Sequence, residues 1–186
     1  MLAVSLLSPL SALTVSAQDG EEADASEVVV EGNLLEAIQE RGSLRMGVAS
    51  GYAPFEFIVN KNGENTITGS DVFLGERVAE DLGVELELVD MEFPNLITAM
   101  EAGNIDIIIS GMTYTEERDE TIDFSEIYHQ DTQSFAIRVE DEGKYSNYQD
   151  VIDTNGVIGV QENTLQETLI REYFPKDAEI VVMRKS

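Results

Sequence analysis

The sequence contains no cysteine and no tryptophan, and its single histidine is His129. Without cysteine, the given sequence cannot form disulfides, thiolate metal sites, cysteine nucleophiles or a lipid-modified amino-terminal cysteine. A single imidazole also excludes a multi-histidine metal centre, and His129 lies between polar neighbours typical of a surface position. We therefore expect neither a metal site nor a cofactor.

Positive charge is also scarce. Eleven lysines and arginines stand against 37 aspartates and glutamates, for a net charge of -26 over 186 residues. Such a chain repels phosphate backbones and anionic lipids, which argues against nucleic-acid binding and polybasic membrane docking. Self-repulsion of this size is screened in molar salt, where the Debye length is about 3 Å. The composition therefore predicts a salt-adapted protein, with an acidic exported protein of an ordinary host as the alternative.

No hydrophobic run is long enough to predict a transmembrane helix. Residues 1–17 are uncharged and apolar, and Val15-Ser16-Ala17 has the small-x-small form of a signal-peptidase site, although no basic residue follows Met1. We expect a signal peptide over 1–17, cleaved before Gln18, followed by an acidic disordered tether over 18–33. These features predict an exported protein without a lipid anchor.

Strand and helix patterns alternate from residue 34 onward, which predicts an α/β fold with parallel pairing. Asn60 to Gly63 suggests the tip of a β-hairpin, and Asp71 is predicted to be the N-cap of a helix that Gly83 ends. Short helices are expected around Ile38 and Met100, and another after Thr164. The predicted strands are 44–48, 85–89, 105–109, 133–139, 157–160 and 179–183.

The most informative segment is 110–118, directly after the apolar strand 105–109. Loops at the carboxyl ends of strands in open α/β sheets are where ligands bind. Arg118 can hold a carboxylate through two parallel hydrogen bonds, and Thr113 adds a donor. The alternative interpretation is structural: Thr113 and Glu116 have capping-box spacing, and Arg118 is then a surface cation among acidic neighbours.

Two aromatic residues, Tyr52 and Phe93, follow predicted strands and are candidates for the wall of a pocket. Each also has a purely structural interpretation, Tyr52 in the core and Phe93 as a hydrophobic staple at a helix entry. The sequence has no nucleophile elbow, HExxH motif, Walker loop or GxGxxG, and acidic pairs are too frequent to carry specificity. The residues thus favour binding over catalysis.

Several stretches, taken together and in order, resemble the extracytoplasmic solute-binding proteins of family 3, the receptors of ABC importers for polar amino acids. The resemblance covers residues 34 to the end. The stretches are GSLRMGV at 42–48, YAPFEF at 52–57, GSDV at 69–72, DIIISGMT at 106–113, TEER at 115–118 and DFS at 123–125 with Tyr128.

This resemblance implies a periplasmic-binding-protein-like type II fold, a two-lobed clamp with mixed sheets that closes on its ligand. Lobe 1 would span 34–135 and the start of lobe 2 would span 136–186, leaving lobe 2 incomplete because the family's Gly-Arg-x-Asp segment is missing. By the same resemblance Arg118 grips the ligand α-carboxylate. The implied ligand-binding residues are Tyr52, Phe93, Ser110, Gly111, Thr113, Arg118, Asn163 and Thr164.

Besides the missing segment, the family's usual Gly-Phe-Asp is Gly69-Ser70-Asp71 here, and two further departures bear on the ligand. Ala49 stands where an acidic side-chain selector is often found, which weakens the case for a basic ligand. The turn at Asn163-Thr164-Leu165 has one hydroxyl fewer than usual, but a helix N-terminus there would still offer free amides to an anion.

The resemblance implies a non-enzymatic, monomeric binding protein, periplasmic or extracellular, that delivers an amino acid to an ABC transporter permease. Two other hypotheses stay open. One is a cyclohexadienyl-dehydratase-like enzyme on the same fold, which needs a general acid near the ligand. The other is a ligand-sensing module of a receptor or a cell-wall enzyme.

Overall fold

The computed structural model describes residues 33–184, so the predicted signal peptide and nearly all of the predicted tether lie outside the described residues. The described chain begins with a helix and a strand, then a hairpin, and thereafter helices and strands alternate except for two consecutive helices between the fifth and sixth strands. The helices are α1 Leu34–Arg41, α2 Ser70–Leu82, α3 Leu96–Glu101, α4 Glu116–Asp119, α5 Tyr148–Asp153 and α6 Leu165–Tyr173, with 3₁₀ turns at Phe93–Asn95 and Val139–Asp141. The strands are β1 Ser43–Val48, β2 Phe57–Lys61, β3 Glu64–Thr68, β4 Glu85–Asp90, β5 Ile107–Ile108, β6 Ile158–Gln161 and β7 Ile180–Met183.

A parallel three-stranded sheet of order β4-β1-β5 organises the first part of the chain. In its register Met46 lies opposite Leu88 on one side and Ile107 on the other. The chain leaves β1, returns as β4 on one side and then crosses to β5 on the other. The order therefore reverses at β1, and the carboxyl ends of β1 and β5 flank the crevice where such sheets bind ligands.

The core of this first unit lies on both faces of β1. Met46 and Val48 are fully buried under α2 and β4, and Leu96 of α3 is fully buried on the other face. The antiparallel hairpin β2–β3 turns at Asn62 and Gly63, both with positive φ, as the Asn-Gly signal predicted.

A buried carboxylate fixes the amino end of the sheet. The Asp106 side chain is 1% exposed and accepts hydrogen bonds from the guanidinium groups of Arg41 and Arg45 and from the backbone N–H of Arg45. The two arginines compensate the charge that burial would otherwise make costly. The hydrogen bond to Asp106 is the largest of the effects that raise the pKa of Arg45.

A second, smaller unit contains the parallel pair β6–β7 with α6 as its crossover helix. Ile158 and Val160 of β6 pack against Ile170 and Phe174, which gives this unit a hydrophobic cluster of its own. Within residues 33–184 no helix has the length and apolar character needed to cross a bilayer.

The predicted α/β class with parallel pairing is confirmed, but two strand predictions need correction. Residues 133–139 form no strand: within the described part of the chain no other segment pairs with them, and Phe135 and Ile137 remain 47% and 43% exposed. Alternating apolar residues favour a strand only where a neighbour accepts the backbone hydrogen bonds. The predicted strand 105–109 is paired only at Ile107–Ile108, although Ile105 and Ile109 are buried.

The prediction that Asp71 is a helix N-cap is wrong. Helix α2 begins one residue earlier, at Ser70, with Gly69 as its N-cap in a conformation of φ 140°. The first amides of the helix donate to backbone carbonyls instead, Ser70 to Pro54 and Asp71 to Phe55, each at 3.0 Å. The Asp71 carboxylate is therefore not used for capping its own helix.

Candidate functional site

The loop after β1 places Tyr52 at the crevice. Its amide donates to the Glu56 carbonyl at 2.7 Å, and its own carbonyl accepts from Phe55 at 2.9 Å, so the backbone forms a closed turn. The ring stacks on Phe55 with centroids 5.0 Å apart and stays 46% exposed. Burial, followed by nearby carboxylates, raises the pKa of the Tyr52 phenol. The ring is held in place while one face remains accessible.

The loop after β5 begins with Ser110, whose side chain is structural. Its hydroxyl donates to Glu56 Oε1 at 2.6 Å and accepts from the Ala49 amide at 3.0 Å, and the residue is 2% exposed. These bonds tie the loops after β1 and β5 together. Ser110 thus positions the crevice with its hydroxyl and leaves its carbonyl as the group that could face a ligand.

Gly111 comes next and packs directly under Tyr52. Its φ is +55°, and a Cβ atom there would lie 2.8 Å from Tyr52 Cε1, closer than atoms tolerate. Both the conformation and the contact require glycine.

Helix α4 presents Arg118, and its cap differs from the predicted one. Thr115, not Thr113, is the N-cap: its hydroxyl accepts from the Arg118 amide at 3.2 Å. The predicted capping box of Thr113 with Glu116 is therefore wrong. Because Thr113 is outside the helix, its carbonyl is free to accept a different donor.

Arg118 and three other predicted residues form one cluster. Its guanidinium donates from Nη1 to the Thr113 carbonyl and from Nη2 to the Asn163 carbonyl, both at 2.7 Å. Its Cζ lies 5.5 Å from the centroid of the Phe93 ring, a cation–π arrangement. Burial lowers the pKa of Arg118, but a guanidinium remains protonated at neutral pH.

On the second unit, Asn163 and Thr164 begin α6. Thr164 is the N-cap, accepting from the Glu167 amide at 3.3 Å, and Asn163 has φ 58°. At this turn, where free amides near Asn163, Thr164 and Leu165 are predicted, the Asn163 N–H donates to Glu167 Oε2 at 2.8 Å. A carboxylate of the protein itself therefore accepts one of these amides.

Glu167 is in turn paired with Arg171 at 2.7 Å. Burial acts to raise the pKa of Glu167, but the bonds from Arg171 and the Asn163 amide outweigh it and lower the pKa below its ordinary value.

A polar cavity of about 310 Å³ lies beside this cluster, between the two units. It is lined by Glu92, Pro94 and Asn95 from the first unit and by Glu162, Asn163 and Arg184 from the second. Arg184 is paired with Glu162 at 2.9 Å. Because Glu92 also lines the cavity, the lining has two acidic residues and one basic residue.

The eight predicted residues thus fall into distinct groups. Arg118, Phe93, Thr113 and Asn163 form the cluster between the units; Tyr52 and Gly111 form a second contact; Ser110 and Thr164 act in local structure. Within residues 33–184 the rings of Tyr52 and Phe93 do not stack on each other: Tyr52 stacks on Phe55, and Phe93 lies under the Arg118 guanidinium.

Sequence reasoning missed Asp71 and Tyr128 as members of this region. The Asp71 carboxylate accepts from the Gly111 amide at 2.9 Å and from the Tyr128 hydroxyl at 3.0 Å. Both residues are in the stretches that carried the family resemblance, but an acidic residue at a helix start is also an ordinary capping signal. The two glycines of that region, Gly69 and Gly111, were the better signal, since each marks a close approach of backbone.

Chemically, the cluster is suited to holding a planar anion. A guanidinium has five N–H groups, and Arg118 gives one to each of two carbonyls within the described residues. The remaining N–H groups can bind a carboxylate. Within the described residues the hydrogen-bond partners of the guanidinium are two carbonyl oxygens, the Phe93 ring lies beside it, and the charge of Glu117 acts on it.

Comparison with known proteins identifies related sequences and structures. The family model of bacterial extracellular solute-binding proteins, family 3, matches residues 44–184. The arginine-binding extracellular protein ArtP of Bacillus subtilis is 37% identical over 134 residues, which is 72% of this chain and 49% of that protein.

Solved structures of amino acid-binding proteins are also similar to this chain. An amino acid ABC transporter substrate-binding protein from Streptococcus pneumoniae, bound to L-arginine, superposes with a TM-score of 0.78 at 32% identity, covering 82% of this chain and 62% of that one. An ancestral amino acid-binding protein, a precursor of cyclohexadienyl dehydratase, gives a TM-score of 0.75 at 34% identity, covering 81% and 65%. The chain spans about half the length of the curated relatives it matches. With 141 consecutive residues matched by the family model, the chain belongs to the bacterial extracellular solute-binding proteins of family 3.

Proposed function

We propose that this chain is the substrate-binding component of an ABC importer for an amino acid and acts outside the cytoplasmic membrane. The observation that carries the proposal is the position of Arg118, whose guanidinium bonds one carbonyl from each unit while lying over Phe93. A ligand carboxylate bound there touches the group that also joins the two units. Binding and closure are then linked through one side chain, as a population shift toward the closed form requires.

The relatives support an amino acid as the ligand class. Their names specify binding of arginine, histidine or cystine, all of which share an α-carboxylate and an α-ammonium group. In our proposal the carboxylate binds Arg118, and the carbonyls of Ser110 and Gly111 accept from the ammonium. Tyr52 and Phe93 flank the side chain, and Thr164 with Asn163 brings the second unit over the ligand.

In this proposal the protein acts as a monomer, without a cofactor and without making or breaking a bond, and passes its ligand to a permease. The ancestral neighbour supports binding rather than catalysis, since its description is an amino acid-binding protein that preceded the dehydratase. Incubation with prephenate or arogenate separates the two functions. We expect no product, and turnover of either acid would favour the enzyme.

The binding test uses the full chain and a panel of the twenty L-amino acids with L-cystine, measured by thermal shift and then by calorimetry. We expect at least one amino acid to bind. Arg118→Ala should then weaken it by at least about 30-fold, because removing one member of a hydrogen-bonded charge pair leaves the other uncompensated.

Arg77→Ala is the matched control, since Arg77 is 65% exposed on α2 and, among residues 33–184, its ion pairs are with Glu80 and Asp81 of its own helix. Equal affinities of the Arg118 and Arg77 variants would overturn the site assignment. Failure of the whole panel to bind would overturn the ligand class.

A further inference from the structure

The amino end of α2 holds the loop that carries Tyr52. The Ser70 and Asp71 amides donate to the carbonyls of Pro54 and Phe55, each at 3.0 Å. A Cβ atom on Gly69 would lie 2.0 Å from the Phe55 carbonyl oxygen, so helix and loop backbones are in direct contact. The start of this helix and the Tyr52 turn are therefore held together by direct backbone contacts.

The same helix end holds the loop after β5 through a side chain. Asp71 is 1% exposed, and one oxygen of its carboxylate, Oδ2, accepts from the Gly111 amide at 2.9 Å and from the Tyr128 hydroxyl at 3.0 Å. The Tyr128 hydroxyl oxygen also accepts from the Gly111 amide, at 3.1 Å. Three polar groups from three separate segments thus meet within hydrogen-bond distance of one another.

A buried carboxylate is costly unless hydrogen-bond donors contact it, and here both donors belong to the region of the candidate site. The Gly111 amide fixes the loop on which Thr113 presents its carbonyl to Arg118. Gly111 also lies under the Tyr52 ring, where only a hydrogen atom fits. Displacement of Gly111 would move the Tyr52 contact and the Thr113 carbonyl together.

We propose that Asp71 is a positioning residue that sets the conformation of the 110–113 loop against Tyr52. Tyr128, from a later segment, supports this conformation by donating to Asp71 and accepting from the Gly111 amide. Asp71 touches no ligand in this scheme and acts through Gly111. Its effect on amino-acid affinity rests on the proposed function, whereas its hold on Gly111 is a property of the ligand-free protein.

The test compares four variants of the full chain by the amide signal of Gly111 in ¹H–¹⁵N NMR and by calorimetry with the best amino-acid ligand. Asp71→Ala removes the acceptor. Asp71→Asn keeps one oxygen in place without the charge, and Tyr128→Phe removes the hydroxyl alone. Asp81→Asn removes a carboxylate that is 60% exposed on the same helix and serves as the matched control.

We expect Asp71→Ala to shift the Gly111 amide and to weaken ligand binding about tenfold or more, as loss of a hydrogen bond to a charged group does. Asp71→Asn should restore most of the affinity, Tyr128→Phe should shift Gly111 by less, and Asp81→Asn should change neither measurement. Rescue by asparagine separates positioning from general loss of folding.

A Gly111 signal that is unchanged in Tyr128→Phe would overturn the proposal, as would an affinity of Asp71→Asn more than about tenfold below that of the wild type, and these two variants decide it if the alanine variant does not fold. Full affinity in a variant with a displaced Gly111 would also overturn it. If the wild-type chain binds no amino acid, the proposed function fails alone, and the Gly111 signal still decides the role of Asp71.

Discussion

Arg118 donates a hydrogen bond of 2.7 Å to the backbone carbonyl of Asn163, 45 residues further along the chain and in the other structural unit. The partner bond to Thr113 has the same length and stays within the first unit. A single guanidinium therefore connects the loop after β5 with the start of α6. The same guanidinium is the group proposed to bind the ligand carboxylate. A bound anion and the second unit would therefore contact the same side chain.

Gly111→Ala should reduce both stability and binding. The residue has φ +55°, which costs an L-residue about 1 kcal/mol or more, and its new Cβ would meet the Tyr52 ring. Gly83→Ala is the matched control, because φ is +73° there but no atom lies within 4 Å. We expect Gly83→Ala to lose stability alone, and Gly111→Ala also to change tyrosine fluorescence and ligand affinity. Indistinguishable variants would contradict the Tyr52 contact.

Asp106→Ala should destabilise the first unit by about 2 kcal/mol or more, because two partly buried arginines would lose their common carboxylate. Asp81→Ala removes an exposed partner of Arg77 and should cost no more than about 1 kcal/mol. Urea unfolding of both variants measures the difference. Similar losses would show that the Asp106 cluster contributes little.

Alkaline pH should destabilise the wild-type protein more than Tyr128→Phe. Burial, and then the charge and hydrogen bond of Asp71, raise the pKa of the Tyr128 phenol above its ordinary value near 10. A raised folded-state pKa contributes stability that is present below pH 10 and is lost as the pH rises above it. Free energies of unfolding at pH 8 and at pH 11 test this. Parallel losses in the two proteins would contradict the buried hydroxyl.

Salt should stabilise the protein. With a net charge of -26, repulsion opposes the compact state, and raising NaCl from 0.1 to 1 M shortens the Debye length from about 10 to about 3 Å. We expect the melting temperature to rise by several degrees, and equally in KCl, because screening depends on ionic strength. Full stability without added salt, with no response to it, would contradict the prediction of salt adaptation.

The elements that could be predicted from sequence are those whose signal is local. Strand β1, helix α6 with its Thr164 cap and the turn at Gly63 follow from periodicity, capping chemistry and positive φ. The segment 133–139 has the same alternation as a strand, but pairing depends on a distant neighbour that alternation does not encode.

The site was predictable in its residue types but not in its connections. Thr113 and Thr115 lie three residues and one residue before Glu116, and only the three-dimensional path shows that Thr115 caps α4 while Thr113 offers its carbonyl to Arg118. Asp71 illustrates the same difficulty. Its partner amide at Gly111 is 40 residues away, and no spacing rule connects them.

The most direct test of the central claim is a calorimetric cycle between Arg118 and the ligand carboxylate. The best amino-acid ligand and its uncharged carboxamide are titrated into the wild-type chain and into Arg118→Ala. We predict that the wild type binds the acid at least about 30-fold more tightly than the amide, and that the variant binds the two within about threefold. Equal binding of acid and amide by the wild type, or undiminished preference for the acid in the variant, would contradict the account.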